Sequence, residues 1–177
     1  MAEEKTTSSR YVFRGRAFNV RVDTVINAEG HETTREIVEH AECVAVVPVD
    51  KNGEILLVRQ YRKAVEKELL EIPAGGIDPG EDPETAVKRE LQEEIGHIPG
   101  RLERLAGFYS TPGFCNEYLH LYLAADLSPS QLYAEDTAGI STVRIQPGDI
   151  DRLISSGEIC DSKSIAGLLY YLEFRNQ

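Results

Sequence analysis

Polar and apolar positions along the chain change period twice. From Phe18 to Ile26 the segment FNVRVDTVI alternates, AEG follows as a turn, and TTREIVEH resumes an extended pattern, which predicts a hairpin or pair of linked strands. ECVAVVPV is a continuous apolar run of buried-strand length, DKNG is a turn and EILLVRQYR is a further strand ending in basic residues, so a second strand pair is expected. Residues 1 to 10 are polar, Ser/Thr-rich and uncapped, and predict a frayed terminus. Residues 71 to 81, EIPAGGIDPGE, carry three glycines and two prolines, which suits a loop whose backbone must approach something closely.

The period then becomes helical. Asp82 is a good N-cap, Pro83 stands at the first helical position, Glu84 adds negative charge to the first turn, and Gly96 lies where a left-handed C-terminal cap belongs. Thr85 occupies the place where a full capping box would need Glu or Gln, so only half of that box is present. The pattern predicts a helix over 83–95. RLERLAGFYS and EYLHLYLAAD read as strands separated by the turn-rich TPGFCN, and ISTVRIQ as a third. Two helices close the chain, from Asp149 to Ser156 with Gly157 as stop, and from Asp161 to Phe174 with Ile165, Leu168, Leu169 and Leu172 on one face. Early and late strands around one strong helix predict an α+β class, an α/β/α sandwich, and not a doubly wound parallel sheet. Neither GxGxxG nor GxxxxGK[ST] is present.

The long helix carries an unusual distribution of charge. With Val87 at zero, Leu91 and Ile95 fall at about 40° and 80°, while Glu94, Glu90 and Glu93 fall at about 340°, 300° and 240°. The three carboxylates begin at the edge of the apolar stripe instead of lying opposite it. Glu90 and Glu94 are four apart and Glu90 and Glu93 three apart, so they repel unless something neutralises them. A divalent cation does so economically, and oxygen ligands at this spacing suit hard Mg²⁺ or Mn²⁺. The competing expectation is a set of surface glutamates paired with Lys88 and Arg89.

Composition narrows the classes. Nineteen Lys and Arg against thirty Asp and Glu give a net charge of −11, which repels nucleic acid and anionic lipid. An anionic substrate therefore needs a metal or a local basic patch. With 177 residues the chain is long enough for one ordinary domain. No apolar run approaches the roughly 18 residues of a membrane span and the start MAEEKTTSSR leads into no apolar segment, so a soluble, cytoplasmic protein is expected. Cys43, Cys115 and Cys160 form neither an even set nor a CxxC pair and read as reduced thiols. His31, His40, His97 and His120 show no ligand spacing.

Gly75, Glu81, Arg89, Glu90, Leu91, Glu93, Glu94 and Gly96 stand in the pattern GX5EX7REUXEEXG, with U apolar. This is the Nudix box, and the chain resembles the Nudix hydrolase family. His97 departs from the apolar residue usual after the last glycine. A glycine-rich loop allows a backbone carbonyl near Ala74 to face the end of the helix, and Arg89 can pair with Glu93 or a loop acid to hold the carboxylates. The resemblance implies that the Ala74 carbonyl with Glu90 and Glu94 holds the cations and that Glu93 shares in coordination and catalysis.

REIVEH, VRQYR, EIPAG, STPGFCNE and GEICDSKSIAGLL look like the ADP-ribose pyrophosphatase branch of that family, as does Pro112, sixteen residues after Gly96. The implied reaction is Mg²⁺-dependent hydrolysis of ADP-ribose to AMP and ribose 5-phosphate. The rivals are a diphosphatase for other nucleoside diphosphate sugars, such as GDP-mannose, and a non-catalytic nucleotide-binding Nudix domain. By the same resemblance Arg62 contacts the diphosphate, Gly76 lets the ligand approach, and Thr111 and Glu117 border the substrate. Arg35 and Glu36 look like residues supplied by the second subunit of a homodimer. Residues 1–40 would then be N-terminal strands serving dimerisation or exchange, and 41–177 the Nudix domain.

The loop QLYAEDTAGI holds the candidates for the acid that activates water, Glu135 and then Asp136, while Ala138 stands where related enzymes often carry another acidic metal ligand. Plain alternatives stand beside these roles. Arg62 could be a solvated strand end, Arg35 and Glu36 an exposed edge pair, and Glu117, Glu135 and Asp136 solvated loop acids. Phe108, Tyr109 and Phe114 are candidates for stacking on adenine, although strand aromatics more often belong to the core. Lys163 and Ser164 read as a cap for the last helix.

Overall fold

The computed structural model describes residues 3–134 and 137–174. The chain forms two compact units, the first made of residues 1–42 and 109–118, the second of 43–108 and 119–177.

The first unit is an antiparallel sheet in the order β1 (Lys5–Arg14), β2 (Phe18–Ile26), β3 (Glu32–His40). The predicted hairpin is β2 with β3, in register from Phe18 opposite His40 to Ile26 opposite Glu32. The expected frayed terminus is wrong from Lys5 on, because β1 is ten residues long and pairs with β2. Every residue of β1 is exposed, so backbone pairing and not side-chain burial holds the strand, and no apolar period marks it. The segment between Tyr109 and Tyr118 joins β3 through Val38, whose N–H donates to the Phe114 carbonyl at 2.8 Å and whose carbonyl accepts from Asn116 N at 3.2 Å.

The second unit has two sheets. One runs β7 (Ala74–Gly76), β4 (Cys43–Pro48), β9 (Tyr118–Pro129), β8 (His97–Tyr109); the other runs β10 (Ser141–Ile145), β5 (Ile55–Arg62), β6 (Lys67–Glu71). Strands β4 and β5 do not form the expected pair; an isolated bridge joins Val49, just past the end of β4, to Ile55. Strand β4 is buried on both faces throughout and β5 over its first four residues, and each takes two other neighbours: β4 lies parallel to β9 and antiparallel to β7, and β5 lies antiparallel to β6 and β10. The short strand β7 forms inside the loop expected over 71–81.

The period of two divides the core. Ala45, Val47, Ile55 and Leu57 face one apolar layer with α2 (Ile150–Ser155) and α3 (Ser162–Phe174). Val44, Val46, Leu56 and Val58 face the other with α1 (Pro83–Glu94). Sheets between helices are the predicted α/β/α arrangement. Helix α1 starts as its sequence requires: Asp82 Oδ1 accepts from Glu84 N at 3.0 Å and Thr85 N at 3.1 Å, a cap worth about 1 kcal/mol. Val87 and Leu91 are fully buried, each contributing about 1.5–3 kcal/mol, and Gly96 has φ +70°.

The expected face of α3 holds in part: Leu168 is buried and Ile165 and Leu172 pack against the core, whereas Leu169 is 44% exposed and Ser164, Gly167 and Tyr171 are buried beside Leu168. A Cβ at Gly167 would come within 2.8 Å of Ile72 Cδ1, so the absent side chain lets the helix backbone sit against the sheet and sets which face turns inward. Among the described residues no helix is long and apolar enough to cross a membrane.

Candidate active site

Helix α1 ends beside β7, and its carboxylates meet the strand. Glu94 Oε2 accepts from the Ala74 N–H at 3.2 Å. Glu90 is only 8% exposed and lies over Gly75 so closely that a Cβ there would fall 2.0 Å from Glu90 Oε1. The glycine is therefore a steric requirement of the carboxylate. Gly75→Ala should push Glu90 aside and lower catalytic turnover by about 10- to 100-fold. Because the displaced carboxylate is the mobile end of its side chain, thermal unfolding should show a stability loss of no more than about 1.5 kcal/mol.

Arg89 organises the acids. Its Nε and Nη2 donate to Glu81 Oε1 and Oε2, both at 3.0 Å, its Nη1 to Glu90 Oε1 at 2.6 Å and Glu93 Oε2 at 3.3 Å, and its Nη2 also to the Gly76 carbonyl at 2.8 Å. One planar guanidinium thus fixes two helix carboxylates, the loop acid Glu81 and the end of β7. Its pKa is raised by these bonds, so it stays charged. Of the competing expectation, surface glutamates paired with Lys88 and Arg89, the Arg89 pairing holds for Glu90 and Glu93 but a surface position does not describe Glu90.

Burial, reinforced by the charge of Glu90, pushes the Glu94 carboxyl up to about 8, against the opposing effect of the Ala74 N–H. Two acids one helical turn apart, one of them buried and the other resisting ionisation, carry one negative charge too many without a proton or a cation. The donor set is all hard oxygen, which fits Mg²⁺ or Mn²⁺. Glu93 and Glu94 also line a cavity of about 490 Å³ with Gln131, Tyr133, Ala134, Thr137, Ala138 and Thr142. The start of this loop is latched to the last turn of α1: Gln131 Nε2 donates to the Gln92 carbonyl at 3.0 Å and Leu132 N to the same carbonyl at 3.1 Å. The two loop acids, Glu135 and Asp136, lie outside the described residues.

Arg62 is not a solvated strand end. Its Nε and Nη2 donate to Glu71 Oε1 at 2.9 Å and Oε2 at 2.7 Å, and Lys163 Nζ donates to the same carboxylate. Burial alone would push the Glu71 carboxyl up, but the bonds from Arg62 and the charge of Lys163 outweigh it and hold the group below its ordinary range. Lys163 also reaches Asp161 Oδ1 at 2.8 Å, and Ser164 Oγ accepts from Ile72 N at 2.9 Å. Lys163 and Ser164 therefore join α3 to the EIPAG segment. The sequence marked Glu71 as the first residue of EIPAG and as a carboxylate between the apolar Leu70 and Ile72, but neither feature pointed to Arg62 or Lys163 as its partners.

The remaining expected residues lie in the first unit. Arg35 makes a two-pronged ion pair with Glu4, and Glu36 sits beside it on β3. Both line a cavity of about 510 Å³ with Tyr109, Pro112, Phe114 and Asn116. Thr111 accepts through its carbonyl from Phe114 N and Cys115 N at 3.2 and 3.0 Å, and Glu117 Oε1 lies 3.7 Å from His40 Nδ1. Of the candidate stacking residues, Tyr109 and Phe114 are exposed, whereas Phe108 packs against the core. The second unit holds Ala74, Gly76, Arg62, Glu90, Glu93 and Glu94.

Comparison with known proteins shows the family. Residues 39–159 match the NUDIX domain, and residues 4–38 match the nucleoside diphosphate sugar hydrolase N-terminal domain. The chain is 35% identical over 170 residues to an ADP-ribose pyrophosphatase of Bacillus subtilis (strain 168), covering 95% of this chain and 92% of that protein. It is 36% identical over 170 residues to a methanol dehydrogenase activator of Bacillus methanolicus, with the same coverage of each. A crystal structure of an ADP compounds hydrolase superposes with a TM-score of 0.90 at 24% identity, covering 98% of this chain and 95% of that one, and so shares the fold. With the box intact on α1 and a domain match spanning most of its length, the chain belongs to the Nudix family.

Proposed function

We propose that the protein hydrolyses the diphosphate bond of ADP-ribose, giving AMP and ribose 5-phosphate, with Mg²⁺ or Mn²⁺ as cofactor. The observation that carries this reading is the union in one chain of an intact carboxylate helix with an N-terminal segment of the nucleoside diphosphate sugar hydrolase type. The Bacillus subtilis relative favours ADP-ribose among such sugars.

Glu90 and Glu94, with the Ala74 carbonyl and a share from Glu93, are the groups proposed to hold the cation. When bound, the ion would neutralise phosphoryl oxygens and lower the pKa of a nearby water. The chain's own residues do the remaining work. Arg62 binds a diphosphate oxygen, Arg89 keeps Glu90 and Glu93 in position, and Gly76, with open space where a side chain would be, admits the ligand. Thr111 and Glu117 border the substrate. An acid of the 131–140 loop, Glu135 or Asp136, orients the attacking water and takes its proton. Water adds across the P–O–P bond, so one phosphate receives the hydroxyl and the other leaves as a phosphomonoester.

The same reading makes the protein a cytoplasmic homodimer. Residues 1–40 serve that dimer, 41–177 form the hydrolase domain, and Arg35 and Glu36 reach the other subunit's substrate. Incubation with ADP-ribose and Mg²⁺ should release AMP and ribose 5-phosphate in equal amounts. Absence of AMP with both Mg²⁺ and Mn²⁺ would overturn it.

A further inference from the structure

We propose that Glu71 and Lys163 are positioning residues that hold the Arg62 guanidinium in one orientation for a diphosphate oxygen. This rests on the diphosphate-binding role of Arg62 given above. Glu71 is 1% exposed, yet it lies in an apolar stretch between Leu70 and Ile72. A buried carboxylate shared by two cations is a poor way to stabilise a fold, because apolar residues of similar volume commonly do as well or better. Its retention calls for another reason.

The geometry supplies one. Glu71 takes the Nε and Nη2 edge of Arg62, which fixes the plane of the guanidinium by two parallel bonds. Nη1 has no partner among the described residues, and the Arg62 side chain keeps 41% of its surface exposed. The arginine is thus tethered by its inner edge and presents its outer one. Lys163, 15% exposed, donates to Glu71 Oε2, the oxygen that also accepts from Arg62 Nη2, and is itself fixed by Asp161, whose Oδ1 also accepts from Ser164 N at 3.1 Å. Both cations lie within electrostatic reach of Glu94. The four charges sum to zero, so the cluster adds direction and not net attraction. An untethered arginine would lose its side-chain freedom on each binding event, weakening the ligand by about 10- to 30-fold.

A double-mutant cycle tests this. KM and kcat for ADP-ribose, and Kd for its non-hydrolysable α,β-methylene analogue, are measured for wild type, Glu71→Gln, Arg62→Ala and the double variant. Glu71→Gln should raise KM and Kd about 10- to 30-fold with kcat changed less than about 3-fold, the pattern of lost uniform binding. In the Arg62→Ala background the same change should add less than about 2-fold. An equal effect with and without Arg62, or a loss confined to unfolding temperature, overturns the proposal. If Glu71→Gln does not fold, Lys163→Met takes its place in the cycle with the same two outcomes. Wild type that turns over a different nucleoside diphosphate sugar refutes the ADP-ribose reading alone, and the cycle is then read on that substrate. Wild type that binds none refutes both.

Discussion

Glu94→Gln is expected to lower kcat/KM for ADP-ribose by about three orders of magnitude, roughly 4 kcal/mol of transition-state stabilisation, while the metal-free protein becomes harder to unfold above neutral pH. The two effects have one cause. Burial and the charge of Glu90 raise the folded-state pKa of Glu94 to about 8, above the ordinary carboxyl value near which the unfolded chain titrates. The folded state therefore holds this proton more tightly. Stability from that proton is fully present below the unfolded pKa and is lost as pH rises through about 8. Glutamine has no charge to bury, so it removes the penalty. Thermal unfolding in excess chelator should show the variant above wild type at pH 9, by an amount on the order of a few kcal/mol, and level with it near pH 4. An active variant, or one less stable than wild type at pH 9, would contradict this account of the site.

Cation affinity should rise about 15-fold between pH 6.5 and 8.0, gain about another 2-fold above that and then flatten. A ligand must be deprotonated to bind, so each ion expels one proton from Glu94 and log K climbs by one per pH unit until the carboxyl ionises on its own, at about 8. Mn²⁺ titrations in buffers of different ionisation enthalpy measure both the affinity and the proton released. Glu94→Gln should bind weakly at every pH, with no slope over this range. A pH-independent affinity in wild type would contradict a Glu94 that must give up a proton to bind the ion. Gly75→Ala provides a steric counterpart, because it disturbs Glu90 without altering any charge.

Helix α1 was legible because its determinants are local. Asp82 caps at the expected position, Pro83 starts the helix, Val87 and Leu91 face the core, and the box spacing predicted that Arg89 would meet Glu93 or a loop acid; it bonds Glu81, Glu90 and Glu93. The alternation of β2 and β3 was equally plain. Strand β1 was not, since an exposed strand is held by backbone bonds that carry no side-chain signature. The pairing of β4 and β5 was misread because a run buried on both faces reveals a strand but not its neighbours.

The charge cluster at Glu71 was missed for a related reason. Arg62 and Glu71 are nine residues apart and Glu71 and Lys163 ninety-two apart, so no period links them. What the sequence determined by itself was everything carried within a few turns or one strand, together with the composition: the capped helix, its off-centre acids, the glycine beneath them and the net negative charge. Only the tertiary structure decided which strands are neighbours, which face of α3 turns inward against Ile72 and Leu121, and that a lysine of α3 and an arginine of β5 share one buried carboxylate. Local preferences are written in adjacent residues. Burial, and the pKa and pairing that follow from it, exist only once distant segments exclude water from the same place.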